Sequence, residues 1–454
     1  MEETKTLARF VVESRYVDVP ANVRHEAMRS VLNWTGCTVG GCRHETIDRA
    51  LAALTPFSGP AQATVLGRGE RLDIMHAALV NGMSSHVFDF DDTHLKTVIH
   101  PSGPVASALL ALAEHKPIDG ADFLHAFILG VEVECRIGNA VYPSHFDVGW
   151  HITGTAGVFG AAAAAGRVLG LDVQQMTWAL GIAATQASGL REMFGTMCKP
   201  FHPGRAAQNG LTAAYLAAKN FTSSESGIEA PRGFANVLAT ARNYGEITGR
   251  LGETWEIALN TYKPFACGIV IHPTIDGCIQ LRNEHKLEPE QIESIALKVH
   301  PLVLELTGKR TPQAGLEGKF SVYHSAAVAI IHGEGGERVY SDAVVRDPRV
   351  IKLRDKVTAT ADESVHEDAA RISIKLGDGR TLEKHVEDAI GSLARPMSDA
   401  DLEAKFRGLA DGILSRAETD ALIKVCWSAG ELKDAGAIAR AAVPADRTAR
   451  RKAS

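Results

Sequence analysis

Four stretches of this chain concentrate side chains that move protons or hold anions. In the first, Val87-Phe-Asp89-Phe-Asp91-Asp92-Thr93-His94 runs on to His100-Pro-Ser-Gly103, so three carboxylates and two imidazoles fall within a dozen residues. That density lets one proton-transfer group hold another. The second, Arg191 to Arg205, gathers Lys199, His202 and Arg205 among Pro and Gly residues that halt a helix, which predicts a rigid loop able to bind an anion, preferably a carboxylate. The third, Tyr262 to Pro273, carries Lys263 and His272 where the sequence changes style, and domain junctions favour binding cavities. The fourth is Gly149-Trp-His151-Ile-Thr-Gly154, where His151 precedes a glycine-rich helix. Each has a bland alternative: a solvated acidic loop, a structural ion-pair site, a satisfied core imidazole, a helix cap.

Several chemistries lose their usual signatures. Asp89-Phe-Asp91-Asp-Thr93 imitates the DxDxT of haloacid-dehalogenase-type phosphatases, but that motif follows a buried strand, and the residues before it here read as a helix with no later acid pair for magnesium. The DxDD letters of terpene cyclases need an aromatic-lined cavity for carbocations, and this chain is 6% aromatic. There is no Walker A loop, no GxGxxG after a strand, no GxSxG elbow and no HExxH. What remains is a set of Asp, His, Lys and Arg groups suited to removing a proton beside a carboxylate and stabilising the resulting enediolate.

The elements that must position these groups are mostly helical. Val23 to Cys37, Asp73 to Val87, Val105 to His115, Ala121 to Glu134 and Leu211 to Lys219 place apolar residues three and four apart. Gly154, Gly157 and Gly160 followed by Ala161 to Ala165 predict a central, closely packed helix. From about residue 266 the pattern turns to alternation: Ile295, Leu297 and Val299, then Ile372, Ile374 and Leu376 before Gly377-Asp-Gly379 and a second run to Val386, a strand and a hairpin. Ser398 then caps a returning helix. The expected architecture is mainly α: a large all-helical domain (1–265, returning at 396–441) with an inserted smaller α+β lid domain (266–395), and a disordered tail at 442–454.

Composition excludes other classes of partner. With 48 Lys and Arg against 54 Asp and Glu, the 454 residues carry a formal charge of −6 without a basic face, so no nucleic acid is expected. Seven scattered cysteines without a CxxC pair, and an acidic amino end without a signal peptide, fit a cytoplasmic location. The apolar run Ala156 to Gly166 is interrupted by Arg167, short of the ~20 residues a span needs, so no membrane partner is expected.

The strings VFDFDDTH with HPSG, GWHITGTAGVFGAAAAAG, MFGTMCKPFHPGRAAQNG and YKPFACGIVIHPTIDG, in this order and along essentially the whole chain, resemble the MmgE/PrpD family. That family includes 2-methylcitrate dehydratase, cis-aconitate decarboxylase and iminodisuccinate epimerase. The resemblance implies a homodimer working without metal or organic cofactor on a small di- or tricarboxylate. Carried over, catalytic roles fall on Asp89, Thr93, His100, Lys199, His272 and on Tyr323 within Phe320-Ser-Val-Tyr-His, with His151, His202, Arg205 and Lys263 as substrate-binding candidates. Gly103 stands where methylcitrate dehydratases commonly carry Asp, and the HPSG form is closer to the decarboxylase and epimerase branches. One extra residue separates Thr93 from His100 relative to the decarboxylase pattern. The expected function is a cofactor-independent lyase, a dehydratase or decarboxylase. An epimerase or racemase of a related dicarboxylate such as iminodisuccinate is the enzyme alternative, and a catalytically lapsed oligomeric carboxylate-binding protein the non-enzyme one. Either enzyme requires side chains far apart in sequence to meet in one positively charged, metal-free cavity.

Overall fold

The computed structural model describes residues 2–445, so the expected tail lies outside the described residues from 446 onward. The fold is mainly α. Its site-forming helices are α1 (Ala21–Gly41), α2 (Ile74–His86), α3 (Ser102–His115), α4 (Gly120–Val141), α5 (Ile152–Leu169) and α6 (Cys198–Ala217). Two three-residue strands, β1 (Asp92–His94) and β2 (Asn260–Tyr262), pair antiparallel with Thr93 opposite Thr261. Strands this short leave no readable alternation, yet this ladder ties the acidic motif to the residues before Lys263.

Helix α5 is central and buried along most of its length, packing on α3, α4 and α6. By length and composition its 18 residues could cross a membrane, but 83% of them are buried inside this protein. Its glycines set how near the neighbours come. A Cβ on Gly160 would lie 2.5 Å from Glu134 Oε2 and 2.8 Å from the Gly130 carbonyl, both on α4. A second close crossing joins α2 to α6, where a Cβ on Gly82 would lie 2.5 Å from Gly204 Cα. That contact fixes the end of α2 against the start of α6.

After β2 come α7 (His272–His285), β3 (Ile292–Val299), α8 (Val322–His332), β4 (Val357–Ala361), β5 (Ala370–Leu376) and β6 (Thr381–Val386). The strands form one sheet in the order β4-β3-β5-β6, with β3 and β4 parallel and the other pairs antiparallel. Ile295, Leu297, Val299, Ile372, Ile374 and Leu376 point to one buried face, where α7 and α8 pack. The alternation in the sequence therefore reports a one-sided sheet. Helix α9 (Asp399–Ala410) opens on a capping box between Ser398 and Asp401 and returns to α1, where Phe406 fills the space over Gly36.

One sequence expectation is corrected. The stretch Lys199 to Arg205 is the opening of helix α6, not a loop. Pro200 falls in the first turn, where N–H groups have no helical acceptor, and Pro203 gives up only one bond, to a carbonyl of that same turn.

A Cβ on Gly204 would sit 2.2 Å from the Leu79 carbonyl oxygen, and backbone on backbone cannot yield by a rotamer change. Gly204→Ala is therefore expected to lose about 1–3 kcal/mol or more, the usual cost of overpacking, read as a lower urea midpoint. An unchanged midpoint would show that α2 and α6 do not depend on this contact.

Candidate active site

The chain leaves α2 at His86 and turns sharply. Asp89 adopts φ +50°, a left-handed conformation that Asp tolerates better than most residues, with its N–H donating to the His86 carbonyl at 2.9 Å. The turn is a built feature, because the carboxylate it aims inward meets two lysines from distant parts of the chain. Lys199 Nζ, from the first turn of α6, donates to Asp89 Oδ1 at 2.9 Å, and Lys263 Nζ, just after β2, donates to the same oxygen at 2.8 Å. All three side chains are at most 6% exposed.

The two lysines differ in what they have left to give. Lys263 spends its N–H groups on Asp89 Oδ1, the Asp89 carbonyl (3.2 Å) and the Cys267 carbonyl (3.1 Å), which makes it a clamp. Lys199 donates to Asp89 and to His86 Nε2 at 2.9 Å, leaving one N–H for a ligand. These groups border a cavity lined by Asp89, Thr93, His100, His151, Lys199 and Lys263 from the helical part. Ile269, Val270, Leu306 and Phe320 close it from the other side. Its lining carries two ammonium groups against one carboxylate, a net positive charge suited to an anionic ligand.

His100 presents an unprotonated nitrogen to this space. Its Nδ1 lies 2.8 Å from the Asp92 carbonyl, which can only accept, so Nδ1 carries the proton and Nε2, 4.0 Å from Asp89 Oδ1, offers a lone pair. Burial, opposed by Asp91 and helped by the lysines, pushes His100 down to about 3, so the imidazole is neutral at neutral pH. Burial drives Asp89 upward, but Lys199 and Lys263 more than offset it and hold the carboxylate well below its usual range. Burial likewise lowers Lys199, with Asp89 opposing. An easily released ammonium proton thus faces a neutral base across one cavity.

Of the residues expected from sequence, Asp89, Thr93, His100, His151, Lys199 and Lys263 line the cavity together. His202 lies directly behind, with its Nδ1 2.8 Å from that of His151. His272 is buried, but faces a neighbouring small cavity with Leu95, Ile269 and Ile390. Its Nε2 has no hydrogen-bond partner among the described residues, and burial pushes it down to about 3. Tyr323 is buried in α8, outside the cavity lining, with the Arg310 guanidinium 4.8 Å over its ring. Arg205 is exposed and bonds Gln208 on the outer face of α6, because the helix turns it away from Lys199. The solvated-loop alternative for the acidic motif fails, since Asp89, Asp91 and Asp92 are 0–3% exposed.

Sequence reasoning missed His86, which touches Lys199, and Asp91 as its partner: His86 Nδ1 lies 2.7 Å from Asp91 Oδ2. The available signal was a histidine in the last turn of a helix five residues before an acid. His86, His100 and His151 also bring one ring nitrogen each within 4.8 Å of one another, a spacing a metal could bridge. The Lys199 ammonium on His86 Nε2 opposes a second cation there.

Comparison with known proteins gives two family matches and a set of relatives. The MmgE/PrpD N-terminal domain model matches residues 5–247 and the MmgE/PrpD C-terminal domain model residues 265–429. A cis-aconitate decarboxylase of Aspergillus terreus is 28% identical over 428 residues, covering 87% of this chain and 86% of its own. Cis-aconitate decarboxylases of Mus musculus and Homo sapiens are each 29% identical, covering 91% of this chain and 87% and 88% of theirs.

Two outcomes follow from the electrostatics. Asp89→Asn leaves two buried ammonium groups against a neutral amide and is expected to lose about 3–5 kcal/mol in urea denaturation, whereas a neutral result would mean the lysines find other acceptors. His100 and His272, pushed by burial from 6.5 to about 3, resist protonation when folded, while the unfolded chain takes up protons below 6.5. Stability is then fully present above that value and falls toward pH 3, by up to ~1.4 kcal/mol per pH unit for each imidazole. A urea midpoint that stays flat between about pH 7 and pH 5 would contradict this.

Proposed function

Because the chain belongs to the MmgE/PrpD family, we propose that it is a lyase that removes carbon dioxide from cis-aconitate or a close unsaturated tricarboxylate. The observation that carries this reading is the Lys199–Asp89–Lys263 cluster facing His100 in one cavity. The relatives' names favour loss of CO₂ over loss of water, and the cavity has the groups that either reaction needs.

In the proposed reaction one substrate carboxylate accepts the free N–H of Lys199 and the Thr93 hydroxyl. The bond from the methylene carbon to its carboxylate breaks and releases CO₂. The freed pair becomes a new C=C bond, and the pair of the original double bond moves to the vinyl carbon, which takes one proton. Lys199 is the acid for that proton: the N–H first accepted by the carboxylate on the vinyl carbon passes to that carbon as CO₂ leaves, and solvent then reprotonates the amine. His100 Nε2, with its lone pair, faces the opposite end of the substrate and binds a carboxyl there in its protonated form. Asp89 and Lys263 keep Lys199 in place, and His151 completes the polar wall. Acid and acceptor are both side chains, so the scheme needs no cofactor. We also propose that the α+β part closes over the cavity as a lid, because Ile269, Val270, Leu306 and Phe320 supply its apolar wall.

The test is incubation of the purified protein in D₂O with cis-aconitate, 2-methylcitrate, citrate and iminodisuccinate, followed by NMR. The expected result is CO₂ loss from cis-aconitate with one deuterium on the former vinyl carbon. That activity survives EDTA and falls about 10²–10⁴-fold in Lys199→Ala. Loss of water from 2-methylcitrate would replace decarboxylation with dehydration, deuterium exchange without loss of a group would make the protein an epimerase, and no change in any substrate would end the lyase reading.

A further inference from the structure

His86 and Asp91 are buried at 1% and 0% exposure and neither lines the cavity, yet they form the only described hydrogen-bonded route from a second carboxylate to the Lys199 ammonium. We infer that they are positioning residues for the proposed proton donor, an Asp91–His86–Lys199 chain that fixes where the ammonium points. The inference rests on the reading of Lys199 as acid.

With Lys199 an ammonium and Asp91 a carboxylate, the geometry allows one arrangement of protons. Asp91 Oδ2 lies 2.7 Å from His86 Nδ1, and an ionised carboxylate only accepts, so the hydrogen sits on Nδ1. His86 Nε2 lies 2.9 Å from Lys199 Nζ, and an ammonium only donates, so Nε2 must carry a lone pair. A protonated imidazole would set donor against donor and cation against cation. Burial keeps His86 below its ordinary value in spite of Asp91, which agrees with the neutral ring. Two of the three Lys199 hydrogens are then fixed, on His86 and Asp89, and the third is left for the cavity.

Asp91 reaches further than His86. Its Oδ1 lies 3.5 Å from His100 Nδ1, so one carboxylate stands behind the Nδ1 atoms of both imidazoles. The two rings pack edge to face at 4.6 Å between centroids. Both rings thereby keep Nε2 lone pairs on the Lys199 side, one holding the proposed acid and the other facing the substrate. The charged and titratable groups around Lys199 are Asp89, Asp91, Lys263, His86, His100, His151 and His202, with the Phe194 and Phe320 rings against its ammonium at 5.2 and 5.5 Å.

The experiment compares His86→Leu, His86→Gln and Asp91→Asn. Leucine removes the acceptor, and glutamine can present Oε1 in its place. The side-chain amide introduced by Asp91→Asn can still accept from His86 Nδ1–H through Oδ1, but it removes the negative charge behind the ring. Expected for His86→Leu and Asp91→Asn is a fall in kcat of about 10²-fold with KM within about threefold, since a misaimed donor harms the transition state more than binding. The alkaline limb of kcat should move to lower pH in both, because the ammonium loses an acceptor or a nearby negative charge. His86→Gln should recover at least about tenfold of the loss. ¹⁵N NMR of the ligand-free wild type should show His86 as the Nδ1–H tautomer, and Asp91→Asn, in which Lys199 still requires the Nε2 lone pair, should keep it. This readout needs neither turnover nor a folded His86→Leu variant. A wild-type Nε2–H tautomer or imidazolium overturns the inference, as does a fall in kcat with no movement of the alkaline limb and no rescue by glutamine. If the wild type acts on none of the four carboxylates while the tautomers behave as described, the decarboxylase reading falls and the chain of hydrogen bonds stands.

Discussion

A single carboxylate oxygen, Asp89 Oδ1, accepts from two ammonium groups in a place water hardly reaches, and the rest of the structure is arranged to make that tolerable. Burying three charges is costly, and their attraction offsets the cost only when the geometry is good and the remaining donors are satisfied. Here Lys263 is saturated by two carbonyls and Lys199 is held by His86. Asp91, also buried and held below its usual range by His86 and His100 against the cost of burial, brings a second negative charge behind the first. Two carboxylates against two lysines make a set that is nearly neutral as a whole but exposes its positive side to the cavity. Replacing such a set with apolar residues of similar volume is often neutral or stabilising, so its presence is not explained by stability.

The fold answers this demand with close backbone approaches. Glycines at 82 and 204 let α2 and α6 cross almost in contact, which brings His86 and Lys199 within hydrogen-bond reach although they are 113 residues apart. The β1–β2 ladder does the same for Lys263 and Asp89. Two of the five non-glycine residues at positive φ among the described residues lie at the same place. Asp89 sits at φ +50°, and Val98, a β-branched residue in the cavity wall, sits at +53°. A β-branched side chain in that region is a genuine outlier, held by its surroundings, and such outliers collect at functional sites.

Much of this was legible in the sequence because the elements obey simple periods. The helices around the site, the one-sided sheet with its hairpin and the Ser398 cap all follow from spacing and capping chemistry. The residues that line the cavity were legible too, since Asp89, Thr93, His100, His151, Lys199 and Lys263 stand in dense motifs. What spacing could not give was direction. Prolines 200 and 203 suggested a loop, but a helix absorbs them in its opening turns, and that helix turns Arg205 outward while Lys199 and His202 face in. His272 and Tyr323 are near the site in sequence logic, yet neither lines this cavity, and His272 faces the small one beside it. His86 escaped notice because it belongs to the helix and not to the acidic string, and only three dimensions join it to Lys199.

The most direct measurement is a crystal structure with tricarballylate, the saturated tricarboxylate that keeps the charges of cis-aconitate but has no double bond to receive electrons. A ligand carboxylate is expected within about 3.2 Å of Lys199 Nζ, with His100 at the opposite end and Lys263 still on Asp89. A ligand bound away from Lys199, or one that draws both lysines off Asp89, would contradict this arrangement.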